Sequence, residues 1–196
     1  MMSSEPLHHP EDGSFLSKDQ TLQSLFDELV TRNFGESLRL SDREIISYLA
    51  DLLTRFSRAE SLYPIRDAEG KTIEDVGEML LASNPLLEAP SFDREREIRK
   101  HIGDFTLFFA GLFPEAVNRW RLRRQRLDSL VDYVKAGKES YFIVSEFNVF
   151  EYKASAPFFK KMSDQFETCV FGLNLVKRNL VEMQQESYVR AKKFLV

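Results

Sequence analysis

The strongest constraint on this chain lies late in its sequence. Phe159, Met162, Phe166, Cys169, Leu173, Val176, Leu180 and Met183 follow one another at alternating spacings of three and four. An α-helix turns about 100° per residue, so these side chains share one apolar stripe, sustained over about four heptads. Such a stripe must be covered. It predicts either the central helix of a bundle or a homodimer seam, and the bundle is preferred because Phe-rich knobs suit a thick core. Cys169 belongs to the stripe and reads as a small buried hydrophobe, not a nucleophile.

Helix signals fill most of the remaining chain. Ser17 and Gln20 form a capping-box pair ahead of Leu22, Leu25, Phe26, Leu29 and Val30, with Gly35 as the expected stop. Ser41 and Glu44 repeat the device before Ile45, Leu49, Leu52, Leu53 and Phe56. "SLYPIRDAEGK" reads as a loop, and Thr72 as the cap of a short helix that Asn84–Pro85 ends. Ser91 should cap the next helix, from Phe92 to Ala110 with Gly111 at its end. Pro114 suits the first turn of a second long helix running to Ala136 and stopping at Gly137. So short a link sets these two helices antiparallel.

Residues 138–153, "KESYFIVSEFNVFEYK", have strand-like composition but no clean alternation and no partner strand, so they are read as a buried helix. Residues 1–16 are polar and aperiodic and read as a mobile N-terminal arm, with His8 and His9 as part of a solvated tail. The expected fold is therefore all-α: a single-domain helical bundle of about seven helices over residues 17–196.

Composition narrows the function classes. A net charge of −4 gives no global attraction to nucleic acid or anionic lipid. The run "RWRLRRQR", residues 119–126, spreads its arginines around a helix instead of gathering them on one face, so no nucleic-acid partner is expected. One cysteine excludes an internal disulfide and a cysteine-based zinc cage. No apolar run reaches the ~18 residues of a membrane span, and the opening segment lacks the pattern of a secretory signal. A cytoplasmic setting is expected. The 17 phenylalanines argue for a bulky core with some apolar surface left over.

One polar constellation stands out. His101 flanks the apolar arc Ile98, Ile102, Phe105, Phe109 and Leu112, with Glu97 four residues before it and Asp104 three after. Folding the hairpin about its link sets His101 opposite Arg124 and Asp104 opposite Arg121, a single polar layer across an apolar seam. Ion pairing between the helices is the preferred reading, since Arg meets a carboxylate by two parallel hydrogen bonds. An anion or small-ligand pocket formed by Glu97, His101, Asp104, Arg121 and Arg124 is the alternative. Metal is disfavoured, because the di-iron pattern needs Glu-x-x-His on two helices and this chain has Glu-x-x-x-His once. No phosphate loop, nucleophile elbow or zinc-protease motif occurs, and no cofactor is expected. Ser140 and Tyr141 are further candidates for lining a pocket, with helix capping as the plainer role. These features describe a non-enzymatic interaction protein, docking a partner protein or a second copy through Phe-rich or heptad surface. A helical enzyme or small-molecule binder using the His101–Asp104–Arg124 layer is the alternative.

Overall fold

The computed structural model of the chain describes residues 22–85, 91–123 and 132–183, the side chains of 120–123 excepted. The expected arm and the Ser17 cap lie outside these residues. Among the described residues nine α-helices and no β-strand occur. They are α1 (Leu22–Arg32), α2 (Arg43–Phe56), α3 (Ala59–Leu62), α4 (Val76–Ala82) and α5 (Phe92–Leu112), then α6 (Pro114–Arg123), α7 (Tyr133–Glu146), α8 (Ala156–Asp164) and α9 (Phe166–Glu182). The fold is all-α, with its apolar side chains gathered into one core. No described helix is long and apolar enough to cross a membrane.

Helix α5 holds the centre. From His101 to Leu112 every residue except Ala110 is buried, and α5 packs on α7, α9, α4 and α2. The heptad stripe expected to be central is instead one wall of the core. It is divided between α8 and α9 by Gln165, whose backbone leaves the helical region at φ −107° and ψ 16°. Phe159, Met162, Phe166, Cys169, Leu173, Val176 and Leu180 nevertheless stay buried, so the stripe is covered by this chain's own helices.

Two glycines set the helix spacing where helix ends were expected. Gly111 lies inside α5, and a Cβ there would meet Leu173 Cβ at 2.6 Å. Gly137 lies inside α7, where a side chain would collide with Thr106 and Phe166. The expected helix from Pro114 to Ala136 is therefore incorrect at its end. Asp132 caps a new helix there, its carboxylate accepting from the Lys135 N–H at 3.1 Å, and α7 continues through Gly137 to Glu146. The contacts of Gly103 with Tyr141 and Gly137 with Thr106 run antiparallel, so α7 takes the place beside α5 that the hairpin argument gave to the helix after Pro114.

Capping departs from expectation in two places. Asp42, not Ser41, accepts from the Glu44 and Ile45 N–H groups, and Asp75, not Thr72, accepts from those of Gly77 and Glu78. A carboxylate satisfies the free donors and also complements the positive helix end. Ser91 caps α5 as expected. Gly35 does not stop α1 cleanly, because a π-helical turn, Asn33–Ser37, carries the chain onward. Residues 138–146 are helical as read, but α7 ends at Glu146, with Phe147 as its C-cap, and a 3-10 turn follows at Phe150–Tyr152.

Candidate functional site

A polar cluster surrounds Asp104, built with Tyr48, Arg55, Lys100 and Tyr141, none of which belonged to the expected layer. Asp104 projects from α5 into the core and is 1% exposed. Its Oδ1 accepts from Tyr48 Oη at 2.5 Å and Tyr141 Oη at 2.7 Å. Its Oδ2 accepts from Lys100 Nζ at 2.9 Å and Arg55 Nη2 at 3.2 Å. Tyr48 and Arg55 stand seven residues apart on α2, two turns along one face. Lys100 is one turn before Asp104, and Tyr141 reaches across from α7. Burial raises the carboxyl's pKa, yet the Lys100 and Arg55 charges, with the Tyr48 and Lys100 hydrogen bonds, hold it below the ordinary value. Burial and the same carboxylate push both phenols well above theirs, so they remain donors.

His101 does not join this cluster by hydrogen bond. Its Nε2 lies 3.1 Å from the Leu62 carbonyl oxygen; a carbonyl only accepts, so Nε2 carries the hydrogen. The ring lies between Phe56 and Phe105, with centroids at 5.8 and 5.9 Å. Burial pushes its pKa down, the nearby Asp104 charge only partly opposing. Glu97 points away and pairs with Arg94 at 3.1 Å on the surface, so it is not a ligand to His101. The side chain of Arg121, and Arg124 altogether, lie outside the described residues. Tyr141 is a donor in the middle of α7, not a cap, and Ser140 Oγ is buried with no partner among the described residues. No group of three or more His, Cys, Asp or Glu is placed to hold a metal among them.

A second feature lies at the outer end of α5. A groove of about 720 Å³ runs between the first turn of α5, the end of α7 and the 3-10 turn. Its apolar surface comes from Phe92, Ile143, Phe147, Val149 and Phe150, its rim from Asp93, Glu95, Glu146 and Glu151. The turn is fastened to α5 through Tyr152. The phenol donates to Asp93 Oδ1 at 2.8 Å, and the Arg96 guanidinium lies 4.0 Å from the ring centre while donating to Ser155 Oγ at 2.9 Å. Phe92 and Phe147 meet edge-on at 6.5 Å.

Phe150 is the unusual member. It is 88% exposed and held at φ +47°, in the left-handed region. For a bulky residue that conformation costs on the order of 1–2 kcal/mol. Phe92 is 75% exposed and Val149 54%. The sequence flagged this segment by its aromatic density and expected Phe-rich surface somewhere, but nothing in it announced the left-handed backbone.

Comparisons with protein-family models, with curated proteins and with solved structures find no match.

Proposed function

We propose that this chain is a non-enzymatic helical-bundle protein that works by protein–protein interaction, and that the groove beside Phe150 is its docking surface. The observation that carries the reading is Phe150 itself. An aromatic side chain exposed to water on a left-handed backbone, at an apolar groove, gains its burial only when a partner covers it. The alternative of an enzyme or small-ligand site at the Asp104 layer has weaker support, because both carboxylate oxygens are already engaged by four protein donors. A cytoplasmic setting is part of the proposal and accords with a single, buried cysteine.

Photo-crosslinking tests it. A photoreactive phenylalanine at position 150, introduced in the native host, should give discrete adducts whose cross-linked peptides can be sequenced, and F92A should abolish them. The same probe at exposed Phe171 on α9 is the control. Identical adducts at both positions, or none at 150, would defeat the proposal. Adducts consisting only of this chain would restrict it to self-association.

A further inference from the structure

Resting on that reading, we infer that the groove takes a basic amphipathic segment of another protein: a helix with apolar anchors on one face and Lys or Arg on its flanks. Of the eleven described residues lining the groove, four are acidic and none is basic. Glu146 and Glu151 are exposed, and each stands beside the apolar floor. The end of α7 adds partial negative charge, while the first turn of α5 on the other side brings partial positive charge that Asp93 and Glu95 in that turn offset. The last turn of α7 contains no basic residue and does contain Glu146, so the partial negative charge of the helix C-terminus has no cation from its own helix. Arg94 is engaged with Glu97 and the Arg66 carbonyl, whereas Arg96, over Tyr152, faces Asp93 and Glu151 and Arg99 faces Glu95; two arginines against four acids still leave the rim net negative.

An acidic rim around an apolar floor selects by charge as well as by shape. An acidic or anionic occupant would bring like charges together and meet repulsion, whereas a cationic flank gains attraction at the rim while its apolar face covers Phe92, Val149 and Phe150. Helix-in-groove recognition reads anchors at i, i+3, i+4 and i+7, which suits an apolar groove lined by several large side chains. The rim acids contribute mainly to approach and selectivity, and Phe150 and Phe92 supply the buried contact.

The test uses the whole chain and two labelled helical peptides with Leu at i, i+3, i+4 and i+7. One carries Lys and the other Glu at the remaining positions. By fluorescence anisotropy the Lys peptide should bind and the Glu peptide should not. Binding of the Lys peptide should weaken as salt rises from about 50 to about 300 mM. E146Q/E151Q, which changes two exposed side chains, should reduce its affinity about five- to tenfold, and F150A should reduce it further with the fold intact by circular dichroism. Equal binding of both peptides, or binding indifferent to salt and to E146Q/E151Q, would overturn the charge selection and leave the groove as an interaction surface. Failure of the Lys peptide to bind would overturn the basic partner. The crosslinks at position 150 then decide whether the interaction reading falls with it. Concentration-dependent dimerisation in sedimentation, abolished by F150A, would overturn the separate partner in favour of a second copy.

Discussion

The ring of Tyr141 fills the space that a side chain at Gly103 would need: a Cβ there would lie 2.5 Å from both Cδ1 and Cε1. The missing side chain lets α5 and α7 approach closely, and it brings the Tyr141 hydroxyl to Asp104, the next residue along α5. G103A should therefore destabilise the protein by about 1–3 kcal/mol, through overpacking against an enclosed ring. The gain of about 1 kcal/mol that alanine brings to a helix interior is already outweighed in that figure. Urea denaturation measures it, and an unchanged or higher midpoint would show that the ring yields freely.

Removing the carboxylate should cost more. D104N keeps the shape but puts an amide donor among four donors and leaves Lys100 and Arg55 without their counter-charge, a loss of about 3–5 kcal/mol near neutral pH. The sign of its pH dependence follows from the lowered pKa. The unfolded chain takes up this proton near pH 3.9 and the folded chain only at lower pH. The stability contributed by Asp104 is thus complete above about pH 4 and is lost as pH falls through the folded-state value. The gap between wild type and D104N should narrow below pH 4. A gap independent of acid would mean that charge is not what the site supplies.

His101 should also lower stability in acid, in a higher window. Its folded pKa is depressed by burial, so the unfolded state binds the proton first, from about pH 6.5 downward. The contribution is present above pH 6.5 and declines as pH falls toward the folded value. By NMR the imidazole of the native protein should titrate below the ordinary histidine value and, when neutral, carry its hydrogen on Nε2. A His101 resonance that titrates at 6.5 or above would contradict the enclosed, carbonyl-bound ring.

Cys169 should be inert while the protein is folded. It is buried and desolvation pushes its thiol up to about 12, so almost no thiolate exists near neutral pH. A thiol-specific chromogenic reagent should react with the native protein only as fast as it opens, and with the urea-unfolded chain at once. Rapid native labelling would show that α9 does not stay seated on the core.

The legible and illegible parts of this molecule separate by range. The stripe from Phe159 to Leu180, the Ser91 cap and the arc from Ile98 to Leu112 could all be read because helical periodicity is local. Lys100 and Asp104, one turn apart, are legible for the same reason. Gly111 and Gly137 misled because a helix interior and a helix end favour glycine for different reasons. The interior reason, a neighbour's ring or methyl group, resides in another helix. Tyr48, Arg55 and Tyr141 were missed as partners of Asp104 for the same cause: they are 56, 49 and 37 residues away and converge only once three helices are docked. Phe150 was visible as an aromatic, but a left-handed backbone at a phenylalanine runs against the residue's own preference and so has no signal in the sequence.

That convergence on Asp104 bears on how the chain reaches its native state. Docking α2 on α5 alone would enclose the carboxylate while the donor from α7 is still missing, and docking α7 alone would bring neither Tyr48 nor Arg55. Each half-assembled form leaves part of the donor set around Asp104 unmade, so the carboxylate is fully compensated only in the complete bundle. One acidic side chain thus makes the ordering of three helices a joint event, so the bundle gains most when it closes all at once.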